Sequence, residues 1–219
     1  KKHGAILDQY DPEKKIGLIV DEWGNWHEVE PGTNPGFLYQ QSTMRDALVA
    51  GLSLNIFNRH CDRVKMANIA QLINVLQAVI LTDGPRMLRT PTYHVFHMYK
   101  YHQDADLVES YIDGVETIGE EEEFMVPNLQ ESVSVDKDGI ITITLNNLSV
   151  EKEESVEVSF AECRAQKVTA SILHNEMHAY NTFEDPDKVK EEKFKDFTVE
   201  NGKLCFKIPA CSVIQFRVQ

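Results

Sequence analysis

The sequence predicts an α+β protein with two parts, a strand–helix–strand–helix unit with a parallel sheet and then an all-β sandwich. Before about residue 103, short apolar runs alternate with stretches of helical periodicity. After it, β-prone runs follow one another at spacings of roughly 8–12 residues, with turn residues between them. We therefore expect the two parts to span residues 1–102 and 103–219.

In the first part, strand and helix signals alternate. A helix is predicted where Leu48, Leu52 and Ile56 repeat at every fourth residue, and a loop is predicted over residues 28–38, which are rich in Pro and Gly. The predicted elements are the end of a helix over Lys1–Gln9, a strand over Ile16–Val20, a helix over Thr43–Asn58, a strand over Val64–Ile69 and a last helix over Pro91–Tyr101.

The second part contains six short runs that alternate in the manner of sandwich strands. These are Val133–Val135, Ile140–Leu145, Val156–Phe160, Val168–Leu173, Leu204–Ile208 and Val213–Val218. Turns are predicted at Asp138-Gly139, Asn146-Asn147 and Asn201-Gly202.

The composition indicates a globular chain. Of 219 residues, 42% are hydrophobic and 9% aromatic, which excludes a disordered protein, and no apolar run has the length of a membrane span. The net charge of −13 argues against a nucleic-acid surface, whereas binding of a neutral sugar would not be opposed by it.

There is no signal peptide, and the chain starts at Lys1 without an initiator Met. We expect either a piece of a longer protein or a mature N-terminus.

Neither the cysteines nor the histidines form a metal-binding pattern, so we predict no metal. Cys61, Cys163, Cys205 and Cys211 include no CxxC pair and are predicted to be buried free thiols, with Cys61 in the core. His94, His97 and His102 have a spacing that can hold a metal, but no acidic or cysteine partner stands at a suitable distance along the chain. Helix packing and surface positions are the expected roles.

The functional signal is a carboxylate at the end of the first strand. The run Ile16–Val20 is followed by Asp21-Glu22-Trp23-Gly24-Asn25-Trp26. A carboxylate can act as nucleophile or general acid in glycoside cleavage, and an aromatic ring offers a flat apolar platform to a sugar. Glu22 is the candidate, and the alternative is a helix cap or a loop ion pair. Asp21 points to the other face of the strand, and a structural role is predicted for it.

Several segments together resemble the family 51 α-L-arabinofuranosidases. These are Ile16–Trp26, Thr43–Asn58, His60–Val64 with Ala67–Leu76, Pro91–Phe96, Asn181–Pro186 and Ile208–Val213. The resemblance extends over essentially the whole chain. It implies a retaining glycosidase that releases terminal α-L-arabinofuranosyl residues from arabinose-containing polysaccharides or oligosaccharides, with no cofactor. It also implies that residues 1–102 are the last two βα units of a (β/α)8 barrel, followed by a C-terminal β-sandwich.

The resemblance assigns roles to three residues. It makes Glu22 the nucleophile, places Trp26 along the arabinose pocket, and gives Gln71 of the Ala70–Asn74 motif a contact with the sugar. An amide can donate to and accept from hydroxyl groups, which suits that role. Without the resemblance, Gln71 would be interpreted as a loop amide bonded to backbone.

The family's acid/base glutamate lies in a Gly-Asn-Glu motif that this sequence lacks. Its one Asn-Glu pair, Asn175-Glu176, lies in the β-rich part. Retaining cleavage needs two carboxyl groups about 5–5.5 Å apart. We therefore expect the isolated chain to be nearly inert. Its parallel strands would have open edges that pair with the missing N-terminal barrel half or with a second copy of the chain.

A hypothesis from a different class is a non-catalytic module whose sandwich binds carbohydrate or a protein partner. Against it, the sequence shows no row of exposed-looking aromatic residues over 133–218.

Overall fold

The computed structural model describes residues 2–120, 124–161 and 165–219. In the first part it confirms the order strand, helix, strand, helix and adds a hairpin, β3–β4, before the last helix. The elements are α1 (Lys2–Tyr10), β1 (Leu18–Trp23), α2 (Met44–Arg59), β2 (Val64–Ile69), β3 (Ile80–Asp83), β4 (Arg86–Arg89) and α3 (Pro91–Tyr99). Short 3₁₀ turns lie at Pro35–Phe37 and Lys100–His102. Within the described ranges, every helix is too short or too polar to cross a membrane.

β1 and β2 run parallel and are connected through α2. Trp23 pairs with Ile69, so the two strands end at the same edge of the sheet. Within the described residues neither strand pairs with a third one. Ile19 and Met66 are 54% and 53% exposed. The arrangement is an open two-stranded sheet, and its membership of a (β/α)8 barrel stays a prediction.

α2 packs on the strands of the second part, and this sets which of its faces is buried. The predicted apolar face is partly wrong, because Leu48 is buried but Leu52 is half-buried and Ile56 exposed. The buried side chains are instead Met44, Asp46, Ala47, Leu48, Ala50, Gly51 and Asn55. Several are small because the helix approaches the sheet closely. A Cβ added to Gly51 would lie 2.6 Å from Asn146 Oδ1.

The second part is an antiparallel sandwich, and each of the six predicted runs overlaps one of its strands. Its six-stranded sheet has the order β12-β11-β15-β9-β8-β5, and its three-stranded sheet the order β10-β14-β13. The strands are β5 (Asp106–Val108), β6 (Thr117–Ile118), β7 (Val126–Pro127), β8 (Leu129–Val135), β9 (Ile141–Asn147), β10 (Glu154–Val158), β11 (Val168–His174), β12 (Glu192–Phe194), β13 (Phe197–Glu200), β14 (Lys203–Ile208) and β15 (Ser212–Val218).

An aromatic cluster fills the space between these sheets. The Phe216 ring contacts the rings of Phe194, Phe197 and Phe206 at centroid distances of 6.1, 5.7 and 4.7 Å. Around them pack aliphatic side chains from both sheets, including Leu204. This cluster gives the sandwich a core of its own.

One of the three predicted turns is wrong. Asn146 and Asn147 end β9 and pair with Val213 and Ser212 of β15. Asn147 is tolerated in a buried strand because its Nδ2 donates to Lys152 O and Ile208 O, at 2.8 and 3.2 Å. The turns at Asp138-Gly139 and Asn201-Gly202 are confirmed.

A second apolar cluster crosses the predicted boundary at residue 103. It contains Met44 and Leu48 of α2, Met98 of α3, Leu173 of β11 and Val213 of β15. The two helices therefore share their core with the six-stranded sheet. The division into residues 1–102 and 103–219 stays a prediction.

The cysteines differ from one another in burial. Cys61 is exposed, so its predicted place in the core is wrong, because it lies in the turn between α2 and β2 rather than in the strand. Cys205 is half-buried, and Cys211 is buried, which raises the pKa of its thiol. These three thiols are free, and Cys163 lies outside the described residues.

Candidate active site

The candidate site lies at the edge where β1 and β2 both end. Glu22 is the next-to-last residue of β1 and is exposed to solvent. Ala70 follows β2 directly and its N–H donates to Trp23 O at 2.8 Å. Gln71, the next residue, therefore emerges at the same edge as Glu22. Side chains at the carboxyl ends of parallel strands are those that α/β enzymes use for chemistry.

The Glu22 carboxylate is exposed at the end of its strand. Among the residues that the structure describes, it forms neither a hydrogen bond nor an ion pair. The alternatives of a helix cap and a loop ion pair therefore have no support in these contacts. The Asp21 carboxylate is likewise exposed and unpaired among the described residues, so the anchoring bonds expected of it are not seen.

The two tryptophans near Glu22 have different surroundings. Trp23 packs inward, edge-on to Phe57 of α2 at 5.4 Å and stacked on Phe96 of α3 at 6.1 Å. It holds β1 against both helices. Trp26 lies in the loop after the strand and is 67% exposed. Of the two rings, Trp26 is the one available to a ligand.

Gly24 lets the chain turn between these two tryptophans. Its φ of +139° is unfavourable for any residue with a side chain. A Cβ at this position would also lie 3.2 Å from Gln77 Oε1 and 3.4 Å from Ala70 O. A glycine is therefore required for Trp26 to leave the strand end in the direction that it does.

Gln71 is held through its backbone and its side chain faces solvent. Its N–H donates to Val75 O at 3.3 Å, and its carbonyl accepts from Val79 N–H at 3.2 Å. The side-chain amide makes no hydrogen bond with the described residues. The alternative of a loop amide bonded to backbone therefore does not describe it.

Sequence reasoning missed a buried polar group beneath the loop of Trp26. Gln40, Asp46 and Gln77 are each at most 2% exposed. Asp46 could have been found, because it stands three residues after Thr43 as the acidic member of a capping box. Gln40 and Gln77 had no comparable signal, since the sequence alone does not distinguish either of them from a surface amide.

Three histidines predicted to have packing or surface roles, His94, His97 and His102, make contacts within the fold. His94 is buried in α3, which lowers its pKa to about 4, and His97 pairs with Glu191 at 2.5 Å. His102 accepts or donates hydrogen bonds with Ser134 and Thr144 of the sandwich, at 2.8 and 3.0 Å. In the described ranges, no three His, Cys, Asp or Glu side chains are grouped to hold a metal ion.

The site thus combines an exposed strand-end carboxylate with an exposed tryptophan four residues later, on a parallel β–α–β unit joined to a sandwich. The family model of the alpha-L-arabinofuranosidase C-terminal domain matches residues 21–212. The chain belongs to this family, and the resemblance to the family 51 enzymes is confirmed.

Two relatives are similar over the whole chain. It is 43% identical over 220 residues to an intracellular exo-alpha-L-arabinofuranosidase of Bacteroides ovatus, covering 100% of this chain and 43% of that protein. The crystal structure of the family 51 arabinofuranosidase from Xanthomonas axonopodis pv. citri superposes with a TM-score of 0.95 at 43% identity, over 100% of this chain and 44% of that one.

A third relative is more distant. The family 51 enzyme AbfB of Bifidobacterium longum gives a TM-score of 0.82 at 25% identity, over 97% of this chain and 44% of that one. The chain thus spans less than half the length of the relatives that it matches.

Proposed function

We propose that this chain is the C-terminal portion of a retaining exo-α-L-arabinofuranosidase and carries its nucleophile, Glu22. The observation that carries the proposal is the exposed carboxylate of Glu22 at a parallel strand end, unpaired among the described residues, in a chain whose whole length is similar to arabinofuranosidases. Residues 1–102 would supply the last two βα units of a barrel, and residues 103–219 the sandwich.

In the proposed mechanism, Glu22 attacks the anomeric carbon of a terminal arabinofuranosyl unit. A glycosyl–enzyme ester forms while a second carboxyl group protonates the departing oxygen, and water then hydrolyses the ester. Trp26 packs against the apolar face of the sugar, and the Gln71 amide bonds its hydroxyls. The second carboxyl group lies outside this chain, since the sequence has no Gly-Asn-Glu motif.

The open sheet supports the idea that a further segment completes the site. β1 and β2 have no other strand partner among the described residues, and Ile19 and Met66 are exposed on them. Open parallel edges pair readily with other strands. The occupant that we propose is the N-terminal barrel half, and a second copy of the chain is the competing possibility.

The nucleophile is tested by Glu22→Ala in the full-length enzyme, with an aryl α-L-arabinofuranoside as substrate. Loss of a nucleophile should lower turnover on the order of 10⁴–10⁶-fold. Added azide should then take the place of the carboxylate and give an arabinosyl azide of inverted configuration. The matched control is Glu157→Gln, an exposed sandwich glutamate paired with Lys203, which should leave turnover unchanged. Near-normal turnover in Glu22→Ala would overturn the assignment.

The dependence on a second segment is tested with the isolated 219-residue chain. Without the partner carboxyl group, general acid help worth on the order of 10²–10⁴-fold is missing, so we expect almost no turnover. Adding the N-terminal half should restore it. A monomer whose first 100 residues are fully protected from hydrogen exchange would contradict the open-edge idea.

Calorimetry with arabino-oligosaccharides addresses the non-catalytic alternative. Clear binding by the isolated chain that survives Trp26→Ala would favour a carbohydrate-binding module.

A further inference from the structure

The loop that carries Trp26 is fixed by buried side chains on both sides of the tryptophan. Before it, Asn25 N–H donates to Gln77 Oε1 at 2.9 Å, and Asn25 O accepts from Gln40 Nε2 at 3.1 Å. After it, His27 N–H donates to Gln40 Oε1 at 2.9 Å. The backbone amides on either side of Trp26 are therefore both bonded to glutamine side chains from elsewhere in the fold.

Asp46 adds a third attachment from the first turn of α2. Its Oδ1 accepts from Asn25 Nδ2 at 2.7 Å, while its Oδ2 accepts from the N–H of Thr43 at 2.8 Å. The Asp46 carboxylate thus caps the N-terminus of α2 and also binds the loop that carries Trp26. His27 Nε2 lies 3.5 Å from the same Oδ1.

Both the oxygen and the nitrogen of the Gln77 side-chain amide form hydrogen bonds in this arrangement. Its Oε1 accepts from Asn25, and its Nε2 donates to Asp46 O at 2.7 Å and to Thr92 Oγ1 at 3.2 Å. Gln77 is fully buried, so a substitution would leave these partners without water to replace it. The loop is tied at once to α2 and to the start of α3.

Trp26 is 67% exposed, so the orientation of its ring depends on the backbone that carries it. A ring fixed before the ligand arrives loses less conformational entropy on binding. Binding residues also work best when a second layer of hydrogen bonds holds them within a narrow range of positions.

We propose that Gln40, Asp46 and Gln77 are positioning residues that hold Trp26 as a preformed platform for the sugar beside Glu22. The inference rests on the proposed function for its substrate, an arabinofuranosyl unit. Its structural content, a rigid Trp26 loop, is independent of that function and can be tested separately.

The structural test uses the isolated chain labelled with 5-fluorotryptophan. The sequence has two tryptophans, so the fluorine NMR spectrum should show two signals, and Trp26→Phe assigns them. In Gln77→Met and Gln40→Met, we expect the Trp26 signal to shift toward that of an unfolded chain, with faster local motion. The Trp23 signal should keep its position, since Phe57 and Phe96 still hold that ring.

The matched control is Asn181→Leu. Asn181 is a buried amide that, like Gln77, makes three hydrogen bonds, here all to backbone: with Arg89 O, Val189 O and Val189 N–H. Its loss should lower the melting temperature comparably and leave the Trp26 signal unchanged. An unchanged Trp26 signal in folded Gln77→Met would overturn the proposal.

Should both glutamine variants fail to fold, hydrogen exchange on the unmodified chain decides the question. The amides of Asn25 and His27 lie in a surface loop, yet we expect them to be protected because their acceptors are buried. Exchange at the rate of a free loop would overturn the proposal.

In the full-length enzyme, Gln77→Met should lower kcat/KM about 10–10²-fold, the loss that follows when a binding group such as Trp26 is displaced by about 1 Å. The loss should fall mainly on KM, because Trp26 binds the sugar and does not react. Asn181→Leu should leave both constants near their original values. If the unmodified full-length protein proves inactive, the proposed function fails, whereas the NMR result still decides on the rigid loop.

Discussion

α2 contacts two differently built regions. The open β1–β2 sheet and its loops have exposed apolar side chains and a buried group of polar ones. The sandwich is an antiparallel structure with an aromatic core around Phe216. From this difference we expect the sandwich to contribute most of the folding stability, whereas the region that carries Glu22 depends on specific hydrogen bonds and on packing against the sandwich.

The largest expected effect is the loss of an aromatic core side chain. Phe216 is fully buried and contacts three other Phe rings, so Phe216→Ala should lower the free energy of unfolding by about 3–5 kcal/mol. In the open sheet, Ile19→Ala should cost within about 0.5 kcal/mol, because Ile19 is exposed. Urea unfolding followed by circular dichroism measures both. Equal losses would contradict the comparison.

Acidification should lower the folding stability of the protein, because His102 of the folded chain resists protonation. Burial lowers the pKa of His102 to about 4, and the positive charge of Arg217 acts in the same direction. In the unfolded chain the pKa is near 6.5, so between pH 6.5 and pH 4 the unfolded state binds the extra proton. This contribution to stability is therefore complete above pH 6.5 and is lost by pH 4, by up to about 3 kcal/mol.

Thermal melts across this pH range test the effect of His102. His102→Gln should flatten the dependence on pH, since Gln does not titrate. An unchanged slope in that variant would assign the acid sensitivity elsewhere, with His94 as the next candidate because its pKa is also lowered to about 4.

The smallest expected effect concerns the contact between α2 and the sandwich. Gly51→Ala should destabilise the protein by about 1–3 kcal/mol, because the new methyl group would meet Asn146 Oδ1 at 2.6 Å. Gly4→Ala is the matched control. Gly4 is a helical glycine of α1 with no atom within 4 Å of an added Cβ, so this change should stabilise by about 0.5–1 kcal/mol. A stabilising Gly51→Ala would show that the contact is loose.

The sequence predicted well where local pattern and burial agree. β2 was predicted with the bounds that the structure has, Val64–Ile69. The β3–β4 hairpin was missed although its two-residue loop, Gly84-Pro85, begins with a glycine, which is a hairpin signal. Asn146 and Asn147 look like turn residues, and only their partners across the sheet explain why they lie in a strand.

For the candidate site, the sequence predicted the exposed residues but not the buried residues that bind the loop from below. Glu22, Trp26 and Gln71 were found from a strand-end motif and a family resemblance, and their roles stay predictions. Gln40 and Gln77 were not found because their function depends on partners 13 and 52 positions away, which no local pattern reveals.

The shared core of α2, α3 and the six-stranded sheet has a consequence for recombining this protein with its relatives. A crossover at residue 103 would separate Met44, Leu48 and Met98 from Leu173 and Val213, with which they pack. A crossover just before Thr43 keeps this core intact, but it divides Asp46 from Asn25 and so combines two parental versions of the loop bonds. Chimeras made at the two positions should therefore fail for different reasons, the first by poor folding and the second by a loosened Trp26 loop.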